Sequence, residues 1–176
     1  MAGHDIGGGI AQHLLAGGVA KVRGLALVNA VTYDSWPVPA VARYRDPAVV
    51  AGTTVEDLLA ARRQAVTAAL ARPASEQEVA GYLDPWNDPR VCRSWMALAA
   101  AADGRYTLDL VPALRADETP KLLVWGRRTP SRRCVTPSGS PRRCRTRGSC
   151  ASRGGPHPHG ERPGGVASAL AAFFSM

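Results

Sequence analysis

The sequence predicts an α/β protein, a parallel sheet interrupted by a helical insertion, and three observations predict it. Arg23 to Val31 (RGLALVNAV) and Lys121 to Trp125 (KLLVW) are short, nearly unbroken apolar runs, as expected of strands buried on both faces of a parallel sheet. Between them lies a long block with helical periodicity and capping signals. A short helix precedes the first run and another closes the chain, so strands and helices alternate as α/β layers require.

Residues 7 to 17 (GGGIAQHLLAG) read as a helix with Ile10, Leu14 and Leu15 on one face and Gly17-Gly18 as its stop. Tyr33 to Pro39 (YDSWPVP) is a proline-punctuated loop. Thr54 to Arg72 is the clearest helix. Thr53 and Glu56 are expected to form a capping box, Leu58, Leu59, Ala65, Val66 and Leu70 an apolar stripe, and Pro73 the end. Ser75 and Glu78 repeat the capping signal for Ser75 to Leu83. Asp88-Pro89 opens a helix to about Ala102, with Val91, Trp95, Met96 and Leu98 expected to face inward and Asp103-Gly104 to end it. Val166 to Phe174 is a terminal helix.

The chain has 176 residues, enough for one domain with a core, and a formal charge of +8. No apolar run is long enough to span a bilayer, and the N-terminus lacks the basic and apolar regions of a secretory signal, so a cytoplasmic protein with no membrane partner is expected. The charge is concentrated. Residues 127 to 165 carry 10 of the 22 basic residues and one of the 14 acids, a net +9, which leaves −1 for the rest. This segment has no Leu, Ile, Phe, Tyr, Trp or Met, and is expected to be disordered because it cannot bury a core. Cys134, Cys144 and Cys150 fall at spacings that match no zinc signature, with His157 and His159 beyond them, so neither a metal nor any cofactor is expected. Read at face value, the arginines suggest a nucleic-acid-binding arm, which is the alternative function; the segment has no aromatic residue for base stacking, and no specific nucleic-acid partner is expected.

The opening Gly3-His4-Asp5-Ile6-Gly7-Gly8-Gly9 resembles the nucleophile elbow of the α/β-hydrolase family, in its Asp-nucleophile branch of haloalkane dehalogenases and epoxide hydrolases. RGLALVNAVTYDSWP resembles the family's next strand and its entry to a helical cap; TPKLLVWG resembles the strand that carries the catalytic acid at its end. The resemblance implies a partial α/β-hydrolase fold, an incomplete parallel sheet with a helical cap insertion and a disordered basic segment. Residues 1–36 would hold the elbow, its helix and the following strand, 37–112 the cap, 113–126 a core strand, 127–165 the disordered segment and 166–176 the C-terminal core helix.

The chemistry implied is hydrolysis of a small-molecule substrate in two steps. The Asp5 carboxylate attacks an electrophilic carbon to form an ester, the Ile6 backbone N–H supplies half of an oxyanion hole, and a His paired with an acid activates water. Haloalkane dehalogenases place Trp after the nucleophile, so Ile6 weakens that assignment. Epoxide hydrolases use cap tyrosines as acids, and Tyr33, Tyr44, Tyr82 and Tyr106 are available.

The family pattern breaks in two places. Members place several strands before the elbow, whereas here no strand is expected to feed it, so the chain reads as truncated. The two apolar strands would then lack sheet partners, with aggregation or self-association as a consequence. Members also place an Asp shortly after the WG of the acid-bearing strand and a G-x-G-H before the final helix. This chain has Arg127-Arg128-Thr129-Pro130 and Gly154-Gly155-Pro156-His157-Pro158-His159 instead. His4 and His13 lie too close to the elbow to serve as the base.

Residues 127 to 165 read as a hydrolase segment translated out of frame. Joining the third base of each codon to the first two of the next permits A-D-A-F directly after Gly126 and M-P-D-A-R-L-V-R-V-P from Arg143. The other shift permits G-A-G-H-T-P from Arg153. Both missing groups return in these readings, and the chain as written is expected to be inactive.

Overall fold

The computed structural model of the chain describes residues 1–19, 21–69, 72–126, 150–152 and 163–175. These form two compact units, one of residues 1–36 and 104–176 and one of Pro37–Asp103. The second unit ends at Asp103, whereas the cap was expected to run to residue 112; the short helices after Asp103 belong to the first unit.

The first unit is built on a parallel sheet of β1 (Ala2–Asp5), β2 (Leu25–Ala30), β3 (Lys121–Gly126) and β4 (Cys150–Ser152), in the order β1-β2-β3-β4 among the described residues. Helix α1 (Ile6–Ala16) links β1 to β2. Every residue of β2 is buried, as its unbroken apolar run implies. Because successive side chains alternate across a strand, Leu25 and Leu27 pack with Ala11 and Leu15 of α1 on one face. Ala26 and Val28 join Leu122, Val124 and Val166 on the other, beneath the C-terminal helix Pro163–Phe174.

Three expectations change here. Ala2–Asp5 is a strand and feeds the elbow, where no strand was expected. Its residues have little β propensity, and parallel pairing with β2 supplies what propensity does not. Next, β2 and β3 do not lack partners: among the described residues β2 lies between β1 and β3, and β3 between β2 and β4. Lastly, Cys150–Ser152 pairs in parallel with Val124–Gly126, and Pro163–Gly165 opens the last helix, so these residues depart from the expected disordered stretch. The remainder of 127–165, with Cys134, Cys144, His157 and His159, lies outside the described residues.

The second unit is helical: α2 (Pro39–Ala42), α3 (Pro47–Gly52), α4 (Val55–Ala69), α5 (Glu76–Leu83) and α6 (Pro89–Ala100). Side chains start these helices by taking up first-turn N–H groups that have no partner inside the helix. Asp46 accepts from Ala48 N–H, Ser75 from Glu78 N–H and Asp88 from Arg90 N–H. The box at α4 is one residue later than expected: Thr54 Oγ1 accepts from Asp57 N–H, and Asp57 accepts from Thr54 N–H. Thr53 is diverted because its hydroxyl donates to Val49 O at the end of α3.

The expected stripes shift as well. In α4 only Leu58 is buried, and Ala65 is exposed; Leu70 lies outside the described residues. In α6 the buried positions are Cys92, Met96 and Ala99, while Val91 and Leu98 face solvent. Trp95 packs edge-to-face against Tyr44 and Trp86, and the Arg62 guanidinium lies over both tryptophan rings, 3.8 Å from the Trp95 centroid. Burial holds Arg62 below the usual arginine range.

Two further short helices of the first unit, α7 (Arg105–Leu108) and α8 (Val111–Ala116), lead to β3. The terminal helix Pro163–Phe174 is α9.

Candidate active site

Asp5 is the last residue of β1 and the N-cap of α1, with φ 50° and ψ −126°. A non-glycine residue at positive φ is uncommon and costs on the order of 1–3 kcal/mol unless the surroundings impose it. Here they do. The sharp strand-to-helix reversal brings α1 so close to β1 and β2 that two positions accept no side chain. A Cβ on Gly3 would lie 2.7 Å from Gly7 O and from Gly8 Cα, and one on Gly8 would lie 2.1 Å from Ala30 Cβ. Gly3 and Gly8 are thus steric requirements of the turn, whereas a Cβ on Gly7 would meet nothing within 4 Å, and Asp5 is left half-buried at the carboxyl end of the sheet. In open parallel sheets that end is where ligands bind.

Ile6 opens α1, so its N–H is one of the helical donors with no carbonyl available within the helix. Both sequence-derived site residues, Asp5 and Ile6, are therefore adjacent at the strand-to-helix junction. His4 is half-buried in β1, and His13 is exposed on α1.

The neighbouring strand end is equally unusual. The β1–β2 register runs Ala2↔Ala26, Gly3↔Leu27, His4↔Val28 and then slips to Asp5↔Ala30, so Asn29 lies opposite the irregularity. Asn29 is 1% exposed with φ 41°, and Tyr33 follows with φ 52°. Strained residues thus gather at one end of two adjacent strands, as they do at functional sites. Beyond β2 the chain is fixed by Val31, whose N–H donates to Asp5 O at 3.0 Å, and by the buried Thr107, whose hydroxyl donates to Tyr33 O.

Sequence reasoning missed Asn29, Gln12 and Thr107. Asn29 sat inside a run read as continuously apolar, yet Asn is the residue most tolerant of positive φ after glycine, which was an available signal. Gln12 is a polar residue on the buried face of α1, 3% exposed.

Of the tyrosines considered as acids, Tyr44 is buried within the second unit and accepts from Arg43, while Tyr82 and Tyr106 are more than half exposed. Trp125-Gly126 ends β3, and the positions after it lie outside the described residues. No group of three or more His, Cys, Asp or Glu side chains among the described residues could hold a metal ion, and no described helix is long and apolar enough to cross a membrane.

No protein-family model matches the sequence, and neither does any curated protein. Solved structures do match. The chain is similar to an α/β-hydrolase fold protein from Burkholderia ambifaria, at TM-score 0.76 and 20% identity over 96% of this chain and 63% of that one. It is similar to a putative aryl esterase from Burkholderia cenocepacia, at TM-score 0.71 and 22% identity over 99% and 63%. It is also similar to a loop variant of the haloalkane dehalogenase DbeA from Bradyrhizobium elkanii, at TM-score 0.63 and 20% identity over 99% and 66%. The chain therefore has part of the α/β-hydrolase fold. It spans less than two thirds of the length of the Burkholderia ambifaria protein.

Proposed function

We propose that this chain is a hydrolase of the α/β fold whose nucleophile is Asp5, and that as written it forms an ester on Asp5 without completing turnover. The observation that carries the reading is the backbone of Asp5, held at φ 50° where a strand turns into a helix, with glycine at the positions where a Cβ would collide. One carboxylate oxygen of Asp5 attacks the electrophilic carbon of a small organic halide or epoxide. With a halide, the new C–O bond forms as the carbon–halogen bond breaks, and the halide leaves with the electron pair; with an epoxide, the ring C–O bond breaks and the ring oxygen takes a proton from water. In the second half, water attacks the ester carbonyl while the Ile6 N–H holds the developing oxyanion.

That second half needs a positioned base. Geometry precedes acidity for such a group, and the sequence has neither an Asp after Trp125-Gly126 nor a G-x-G-H before Val166. The off-frame reading of 127–165 accounts for both. The pairing of Cys150–Ser152 with β3 supports it, because the shifted codons there permit L-V-R-V, a run suited to a buried strand. Two codons decide the matter cheaply. Arg128 ending in G, followed by the AC of Thr129, spells GAC for Asp; Pro156 as CCA, followed by the C of His157, spells CAC for His. Other bases at both places contradict the frame reading. On the protein, no steady-state turnover of haloalkanes, epoxides or activated esters is expected, and a steady rate that vanishes in Asp5→Asn would overturn the incomplete-turnover claim.

A further inference from the structure

The strained backbone of Asp5 must be held by its neighbours, and the hydrogen bonds around it trace how. Val31 N–H donates to the Asp5 carbonyl at 3.0 Å. Val31 in turn is gripped from its other side: its carbonyl accepts from Gln12 Nε2 at 2.8 Å. The second proton of the same amide goes to Gly8 O at 3.0 Å, one helical turn back along α1. Gln12 is 3% exposed and lies beside Ala11 and near Leu15, both buried, on a helix face where an apolar side chain of equal size would satisfy packing alone. Burying an amide there is costly unless its donors are used, and both are used, on carbonyls of two different segments. The clamp acts where α1 rides closest to the strand end, since Gly8 faces Ala30 with no room for a Cβ.

We propose that Gln12 is a positioning residue for Asp5. Its side-chain amide fixes Val31, and Val31 fixes the Asp5 carbonyl, so the orientation of the carboxylate is set by a residue that does not touch the reacting atoms. This inference rests on the reading of Asp5 as the nucleophile. Without the clamp, α1 and the segment after β2 can shift independently by a fraction of an ångström, and a misplacement of that order at a nucleophile costs roughly ten- to a hundredfold in rate.

The test uses the full chain and bromobutane, with formation of the butyl ester on Asp5 followed by intact and peptide mass. Gln12→Met keeps the volume and removes both donors. It is expected to lower the saturating labelling rate by roughly ten- to a hundredfold, leave the half-saturating concentration unchanged, and speed hydrogen exchange of the Val31 amide while the Leu27 amide stays protected. An unchanged saturating rate, or a slower rate with Val31 still protected, overturns the proposal. So does an equal slowing in Leu15→Ala, which would mark a general loss of packing. Should Gln12→Met fail to fold, Gln12→Asn keeps an amide but falls one methylene short of Val31, and the same two changes are expected of it. If the wild-type chain carries no adduct on Asp5, the nucleophile reading fails instead, and Val31 exchange still shows whether Gln12 holds the segment.

Discussion

The sheet unit and the helical unit are held together in different ways. In the sheet unit every residue from Leu25 to Ala30 is buried, and the packing joins segments as distant as Ala26 and Val166. In the helical unit α4 runs for 15 residues and buries only Leu58, while side-chain caps and exposed ion pairs such as Arg72–Glu78 mark the helix starts. The first unit is specified by long-range fit and has no room for a Cβ at Gly3 or Gly8 of the elbow. The second is specified by local signals around a small aromatic cluster, and most of its surface positions carry little energy.

The largest effect of a single substitution is expected at the elbow. Gly8→Val would place side-chain atoms inside Ala30 and is expected to cost about 3 kcal/mol or more, with loss of a cooperative melt. Thermal unfolding followed by circular dichroism checks it; a melt like that of wild type would mean that α1 does not sit on β2 as described. In the helical unit the largest effect is expected at Leu58→Ala, about 3 kcal/mol by urea titration, because Leu58 is 1% exposed. Leu98→Ala, 55% exposed, should stay within about 0.5 kcal/mol in the same assay. Equal effects at the two positions would contradict the assigned face of α6 and the small core of the unit.

Smaller still is the cap of α6. Asp88→Ala removes the acceptor of the Arg90 N–H and should destabilise by about 1 kcal/mol, whereas Asp88→Asn should recover most of it. The smallest effect lies at the start of β3. The hydrogen bond from Lys121 Nζ holds the Asp117 carboxyl below its usual value of 3.8, aided by Thr119. A lowered acid contributes stability that is fully present above the unfolded value and lost as pH falls through the folded one. Asp117→Asn should therefore flatten the stability profile below about pH 4 and leave its slope near neutrality unchanged, read from urea titrations across that range.

The sheet was legible because strands buried on both faces announce themselves as apolar runs, so β2 and β3 could be read without knowing their partners. The strand Ala2–Asp5 was not, since its identity comes from pairing with β2 and not from its own residues. Helix starts were legible through their caps, with one register slip where two adjacent threonines competed and α3 claimed Thr53. Helix faces were less so. In α6 Met96 is buried as expected, but Cys92 and Ala99 take the places expected of Val91 and Leu98, a rotation that periodicity cannot distinguish without the neighbouring segment, where Trp86 O accepts from the Cys92 thiol. At the site, Asp5 was legible from the glycines around it, but Gln12 and Asn29 matter through backbone partners remote in sequence.

That the elbow presents Asp5 as a nucleophile is checked by peptide mapping after incubation with a haloalkane or an epoxide. A stable alkyl ester is expected on Asp5, at no more than one per chain, with the same peptide unmodified in Asp5→Asn. An unmodified Asp5 peptide with both reagents, or an adduct on that peptide that survives in Asp5→Asn, would show that Asp5 is not the nucleophile.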